Sequence, residues 1–295
     1  MREKNHWNIG ISFSPYGHTY GRYGAEKFAN LKEQGYDAAD YNLANTDTAV
    51  YGMDERQLKA AMEAERDAAG RAGVTISQIH GPWRWPPRDG TAEERAERME
   101  KMKKAVDIAA LLGCRHVVVH PIMPYGEEDL QAGKARETWE ENVTFFTALA
   151  EYAATCDVTV CVENMPMRRF SLATPQRLLD FVQAVGHDHL KICLDTGHVA
   201  VFPDLRVGEE VRRLGDCVRV LHIHDNDGES DAHAYPSEGV IDWADFFAAL
   251  GEIGYDGVLS LETAPSGGYD DERFAQESRR LNQLLRTLSA RQADG

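Results

Sequence analysis

The chain has 295 residues, of which 43% are hydrophobic and 27% charged, and its formal net charge is −16. This length allows a large core, while the acidic balance disfavours a nucleic-acid surface, which needs clustered Lys and Arg to neutralise phosphates. The N-terminus lacks an apolar signal core, and no apolar run approaches the roughly 20 residues of a membrane span. The five cysteines are scattered without a C-x-x-C pair. We therefore expect a cytoplasmic protein with reduced thiols and no membrane or nucleic-acid partner.

Short apolar runs alternate with longer segments whose apolar residues recur every three or four positions, as in helices. The strand candidates, in chain order, are residues 7–14, 36–43, 74–82, 115–121, 158–166, 190–198, 218–226 and 257–265. In the helical segment that starts after Ala173, Thr174 is predicted as the N-cap and Pro175 as the first helical residue.

A glycine closes the helical pattern just before a strand at six places, and glycine tolerates the left-handed conformation that ends helices. These residues are Gly35, Gly73, Gly113, Gly186, Gly215 and Gly254. Eight strands alternating with helices, with no break in composition, predict a (β/α)8 TIM barrel that forms a single domain over residues 1–295. The alternative is an open doubly wound sheet, which would normally carry a G-x-G-x-x-G turn after its first strand. That spacing is absent here.

Metal-capable side chains stand at the predicted carboxyl ends of strands three to eight, where barrel enzymes place their active sites. They are His80, His120, Glu163, Asp195, His222 and Glu262, with His198 and His224 close by. Residues two positions earlier are mostly small or apolar, whereas the residues between are bulky and apolar. Because alternate residues of a strand share a face, the polar ends are predicted to point into the barrel mouth.

Three carboxylates buried together without a cation would repel one another strongly. Glu163, Asp195, His222 and Glu262 are therefore predicted to bind one metal ion. Three carboxylates with one imidazole favour Mn2+, Mg2+ or Co2+, and Zn2+ stays open.

The remaining polar and aromatic residues near the strand ends are predicted to contact a substrate. His80, His120 and His198 are interpreted either as substrate-binding groups or as metal ligands, and His224 either as substrate-binding or as a support for the ligands. Asp231 and His233 are expected on a loop over the pocket. Trp83, Trp85, Tyr16 and Tyr125 are interpreted either as flat apolar faces for a ligand or as ordinary loop packing, and His18 could reach the pocket. His187 and His189 are expected at the surface of the opposite end.

The motifs "CVENMP", "CLDTGH", "LHIHDN" and "SLET" resemble the xylose isomerase-like barrel superfamily. It includes sugar phosphate isomerases and epimerases, ketose 3-epimerases, inosose dehydratases and endonuclease IV-type enzymes. In the sugar-acting members the residues equivalent to Glu163, Asp195, His222 and Glu262 bind one divalent metal, and the two glutamates transfer protons. On the H-x-x-acid pattern of strand seven, Asp225 takes the acidic place.

One departure and one further match within the superfamily bear on the substrate. Ketose 3-epimerases carry an Arg shortly after the strand-seven acid, where this chain has Gly228, so free hexuloses are in doubt as substrates. Endonuclease IV-type enzymes bind three zinc ions with nine residues, and comparable positions are occupied here by His80, His120, Glu163, Asp195, His198, His222, Asp231, His233 and Glu262.

The resemblance implies a metal-dependent isomerase or epimerase of a small sugar or sugar derivative, acting through an enediolate, with Glu163 and Glu262 as the catalytic pair. The alternatives are a lyase or dehydratase acting on a keto-sugar or inosose, a trinuclear-zinc phosphodiesterase, and a non-catalytic sugar sensor. The acidic charge argues against the phosphodiesterase, and the intact ligand set argues against the sensor. A homo-oligomer stays open.

Overall fold

The computed structural model describes residues 7–14, 26–265 and 268–290. Eight strands form one sheet in the order β7-β6-β5-β4-β3-β2-β1-β8, and every hydrogen-bonded pair of neighbours is parallel. They are β1 (Ile9–Phe13), β2 (Ala38–Asn42), β3 (Thr75–His80), β4 (His116–Val119), β5 (Thr159–Glu163), β6 (Leu190–Asp195), β7 (Val218–His222) and β8 (Leu259–Leu261).

The sheet closes on itself just past the end of β7. Ile223 forms a parallel bridge with Leu261; its N–H donates to the Ser260 carbonyl at 2.8 Å, and its carbonyl accepts from the Glu262 N–H at 3.0 Å. The predicted (β/α)8 barrel is therefore confirmed, and the open doubly wound alternative is wrong.

Helices follow the strands around the outside of the barrel. They are α1 (Lys27–Glu33), α2 (Ala49–Gly52), α3 (Glu55–Ala72), α4 (Ala92–Leu112), α5 (Ala135–Thr155), α6 (Pro175–Val185), α7 (Thr196–Ala200), α8 (Val207–Leu214), α9 (Trp243–Ile253) and α10 (Asp271–Ala290). None of the helices in the described ranges is long and apolar enough to cross a membrane.

The helix boundaries follow the predicted caps. Thr174 caps α6 by accepting from the Arg177 N–H, with Pro175 at the first helical position. All six predicted glycine stops have positive φ, and at Gly73 and Gly113 the backbone is left-handed with φ +69° and +73°. Each of these two glycines thus ends a helix and turns the chain into the next strand.

Two apolar layers separate on the two faces of the strands. The outward side chains join the main core beneath the helices, among them Ile79, Val119, Val162, Leu194, Leu221 and Leu261. The inward side chains Val118, Cys161, Cys193 and Val220 form a separate small cluster inside the barrel. This cluster is the floor of the mouth, as the alternation predicts. The five cysteines carry no disulfide, and Cys114, Cys161 and Cys193 are buried.

Candidate metal centre and barrel mouth

The four predicted metal ligands meet at the carboxyl ends of strands β5 to β8. Glu163, Asp195 and His222 are the last residues of their strands, and Glu262 follows β8 directly. One ligating atom from each of the four lies within 4.8 Å of the others, and all four residues are buried. His222 Nδ1 stands between two carboxylates, 2.9 Å from Glu163 Oε1 and 3.1 Å from Glu262 Oε2.

The ionisation of this group is governed by burial and by close charges. Burial alone would raise the pKa of Glu163, but the adjacent His222 and His120 outweigh it and hold that pKa well below its usual value. The same opposition, dominated by His222, lowers the pKa of Glu262. Burial would lower the pKa of His222, yet its carboxylate neighbours raise it well above 6.5. When only the side chains of the protein are considered, a proton on His222 therefore neutralises part of the negative charge of the carboxylates.

A divalent cation fits this arrangement. Three carboxylates and one imidazole supply mainly oxygen ligands, and the cation would take over the compensating role of the His222 proton. The donor set suits Mn2+, Mg2+ or Co2+, which prefer oxygen ligands with few imidazoles.

His80 and His120 lie beside this group, on its β3–β4 side. Their Nε2 atoms are 3.2 Å apart, and His120 Nε2 lies 3.0 Å from Glu163 Oε2. Burial lowers the pKa of His120 to about 4, although Glu163 opposes the shift. Together with Glu163, the two histidines make a second set of side chains able to hold a cation.

A third set lies on the β6–β7 side and consists of His198, His224, Asp231 and His233. Asp231 Oδ2 is 3.2 Å from His198 Nε2 and 3.5 Å from His233 Nε2. The His224 and His233 rings stack at 4.0 Å, and His224 Nε2 lies 3.0 Å from Asp195 Oδ1. His224 therefore joins the third set to the central one through Asp195.

These contacts shift the pKa values of two partners of Asp231, His198 and His233. Burial would lower the pKa of His198, but Asp195 and Asp231 raise it to about 10. Burial would lower the pKa of His233 as well, but the hydrogen bond to the Asp231 carboxylate raises this pKa to about 9.

The loop that carries Asp231 and His233 is held from below by Asp225. The buried Asp225 carboxylate accepts from the backbone N–H groups of Ser237 (3.0 Å) and Ile241 (3.2 Å) and from Trp243 Nε1 (2.9 Å). The acidic residue of the H-x-x-acid pattern thus organises the loop and does not join the ligand group. His233 has φ +46° and lies 2.5 Å through Nδ1 from the Glu262 carbonyl. A non-glycine residue held in this conformation is typical of functional loops.

The predicted aromatic contacts have different outcomes. Trp83 packs against His120 with ring centroids 4.6 Å apart, which places it at the mouth. Trp85 and Tyr125 are exposed at 52% and 42%. The predictions for Tyr16 and His18 fall outside the described residues. His187 and His189 are half-buried at the entry to β6, at the opposite end from the candidate site.

Three residues near the site carry no prediction from sequence. Asp40 on β2 lies 3.1 Å from His222 Nε2. The Asn164 side chain accepts from the Asp195 N–H at 2.8 Å and donates to the Asp195 carbonyl at 3.0 Å. Arg168 Nη2 donates to the Gly228 carbonyl at 3.1 Å, so an arginine from the β5 loop reaches the place where the strand-seven loop lacks one. The signal for Asp40 is a charged residue in the middle of the buried strand β2.

Comparison with known proteins now identifies the fold family. The model of the xylose isomerase-like TIM barrel family matches residues 28–285, so the chain belongs to that family. It is 32% identical over 240 residues to a D-psicose 3-epimerase of Ruminiclostridium cellulolyticum, which covers 76% of this chain and 78% of the relative.

Two further similarities extend the comparison. The chain is 30% identical over 188 residues to the uncharacterized protein MJ1311 of Methanocaldococcus jannaschii, covering 62% of this chain and 63% of that protein. The crystal structure of a D-tagatose 3-epimerase-like protein superposes with a TM-score of 0.74 at 25% identity, over 96% of this chain and 98% of the other. The resemblance inferred from the motifs is confirmed at the level of the family.

Proposed function

We propose that the protein is a divalent-metal-dependent isomerase or epimerase acting on a sugar or sugar derivative that carries a carbonyl group. The observation that carries the proposal is the convergence of Glu163 and Glu262 on His222 Nδ1, at 2.9 and 3.1 Å, from strands three positions apart around the barrel. The similarity to a relative named D-psicose 3-epimerase supports the reaction class.

Glu163, Asp195, His222 and Glu262 would hold the ion. When bound, a divalent ion polarises a carbonyl and its neighbouring hydroxyl and so acidifies the C–H bond between them. Glu163 and Glu262 are then the proton-transfer pair. One residue, as a carboxylate, removes the proton, and the other, as a carboxylic acid whose proton has come from solvent, delivers its proton to the opposite face, which inverts the carbon. Return to the adjacent carbon of the enediolate isomerises the sugar.

The substrate would be held by the polar wall around this centre and by one aromatic face. The residues assigned to this role are His80, His120, His198, Trp83, His224, Asp231 and His233. Trp83 offers an apolar face beside His120, and Asp231 and His233 reach over the mouth from the Asp225-supported loop. The mixture of imidazoles, a carboxylate and an indole suits a polyhydroxylated ligand.

Solvent exchange tests the proposal. A panel of free and phosphorylated ketoses, turned over in D2O with Mn2+, should give product with deuterium at the carbon beside the carbonyl. Glu163→Gln and Glu262→Gln should each lower kcat by at least about 10²-fold, the usual scale of general acid–base catalysis. Metal occupancy must be measured in both variants, since both residues are ligands. Turnover without solvent deuterium would indicate a hydride shift and discard the two-glutamate mechanism, while loss of water would indicate the dehydratase.

A second candidate function is phosphodiester hydrolysis with three metal ions. It is favoured by the two additional sets of ligand-capable side chains, one around His80 and His120 and one around His198 and Asp231. Elemental analysis of protein purified without added metal separates the two candidates. About one ion per chain supports the sugar enzyme; about three zinc ions, with cleavage of duplex DNA at an abasic site, would support the hydrolase instead.

A further inference from the structure

The far edge of the His222 imidazole is held by a side chain from β2. Asp40 Oδ2 lies 3.1 Å from His222 Nε2 and also accepts from Gln78 Nε2 at 3.1 Å. Gln78 in turn donates to the Leu221 carbonyl, at 3.3 Å, one residue before His222. Asp40 and His222 are completely buried and Gln78 nearly so. The carboxylate is therefore enclosed within the barrel, below the mouth.

An irregularity in the sheet brings Asp40 to this point. In the register of β2 with β3, Ala39 is opposite Ile76 but Asp40 is opposite Gln78, so Ser77 is an extra residue on β3. Such bulges re-aim side chains beside active sites. Here the bulge sets Asp40 and Gln78 side by side, so that the glutamine amide fixes the carboxylate that faces His222.

The hydrogen-bonding capacities of these groups decide which ring nitrogen of His222 carries a hydrogen. An ionised carboxylate only accepts hydrogen bonds, so the Nε2 atom that faces Asp40 must carry a hydrogen. Nδ1 is on the side of Glu163 and Glu262, two of the three carboxylates of the proposed ligand group. An imidazole that donates one N–H to a carboxylate offers its other nitrogen to a metal in a fixed orientation and with increased basicity.

We infer that Asp40 is a positioning residue that holds His222 as the Nε2–H tautomer, with Nδ1 directed at the metal ion. This inference rests on the metal site of the proposed function. Asp40 contacts neither that ion nor the substrate and acts through His222. Its Oδ1 atom is buried and meets no hydrogen-bond donor among the described residues. The negative charge is thus directed mainly at His222 and Gln78.

The affinity for Mn2+ alone, measured from the electron paramagnetic resonance signal of the free ion, tests the inference without any substrate. Asp40→Asn keeps the size of the side chain but removes its charge, and it should weaken Mn2+ binding by about 10–100-fold. Ser260→Ala is the control, since Ser260 is equally buried inside the barrel and its hydroxyl has no hydrogen-bond partner among the described residues. This control should bind Mn2+ as the wild type does.

A measurement on the wild type keeps the inference testable if Asp40→Asn does not fold. Nitrogen-15 NMR of the Zn2+-loaded protein should show hydrogen on Nε2 of His222 and the metal-shifted resonance at Nδ1. Metal coordination through Nε2, or equal Mn2+ affinity of a folded Asp40→Asn variant and the wild type, would overturn the role of Asp40. A wild type that binds no divalent ion would instead overturn the proposed function.

Discussion

Gly197 is the position where a single added methyl group should disturb the mouth most. It lies in α7, between Asp195 and His198, directly against the imidazole of His224. A Cβ atom on Gly197 would overlap this ring, 2.7 Å from Nε2 and closer still to Nδ1. The ring has little room to move away, because it is fully buried and stacks on His233 with a centroid distance of 4.0 Å.

The cost of Gly197→Ala has two parts. Overpacking of a filled site costs about 1–3 kcal/mol, and a displaced His224 would also lose its hydrogen bond to the Asp195 carboxylate, worth about 1.5–3 kcal/mol. We therefore expect the free energy of unfolding to fall by about 2.5–6 kcal/mol. Because Asp195 belongs to the proposed ligand group, the affinity for Mn2+ should fall as well.

Urea denaturation of the metal-free protein measures the effect as a change in midpoint at constant slope. Gly70→Ala and Gly251→Ala are matched controls, since these glycines lie within α3 and α9 with no atom within 4 Å of an added Cβ. Each control should gain about 0.5–1 kcal/mol. In a double-mutant cycle, His224→Ala should relieve most of the Gly197→Ala penalty. Equal stability of Gly197→Ala and the wild type, or additive effects in the cycle, would refute the steric argument.

Three further predictions concern the metal ion, the two histidines His198 and His233, and the loop held by Asp225. Chelation should lower the melting temperature, and Mn2+ should restore it with saturable dependence; an unchanged melting curve would contradict a shared ligand group. The pKa values of His198 (about 10) and His233 (about 9) are raised, so protonation of these histidines stabilises the metal-free fold. The full stabilisation is present below pH 6.5, the ordinary pKa of histidine. This stability should be lost as pH rises through those values, and urea titrations that stay flat between pH 6.5 and 10 would contradict the assignment. Asp225→Ala leaves several buried donors unpaired and should cost at least about 2 kcal/mol, with faster hydrogen exchange over residues 226–241, whereas the exposed Asp227→Ala should change little.

The barrel and the convergence of the four proposed ligands can be predicted from the sequence because both follow a local pattern. Glycine stops fix the ends of the helices, and strand alternation decides that Glu163 and His222 face inward. The candidate strands 218–226 and 257–265 run four residues past the observed ends of β7 and β8, and β4 and β8 end one residue before His120 and Glu262. A charged residue at the predicted end of a strand therefore indicates that its side chain faces inward and lies at the barrel mouth.

Asp40 could not be predicted in the same way, because its role depends on a register shift between two strands. Nothing in the alternation of β2 reveals that Ser77 is skipped in the pairing with β3. The contact of Arg168 with Gly228 likewise joins loops 60 residues apart in the chain. These contacts depend on three-dimensional closure, whereas the ligand group depends on the strand ends alone.

The compositions of the central set and of the set around Asp231 explain why the number of bound metals decides the chemistry. The central set has three carboxylates and one imidazole, whereas the set around Asp231 has three imidazoles and one carboxylate. Oxygen-rich sites suit Mn2+, Mg2+ or Co2+, and imidazole-rich sites suit Zn2+. With only the central set occupied by a metal ion, the histidines of the two outer sets are available to hold a sugar near Glu163 and Glu262. With the outer sets occupied by zinc, the same histidines are withdrawn from the substrate, and the positive charge at the mouth suits a phosphodiester. The histidines of the outer sets therefore cannot bind zinc and a sugar substrate at the same time.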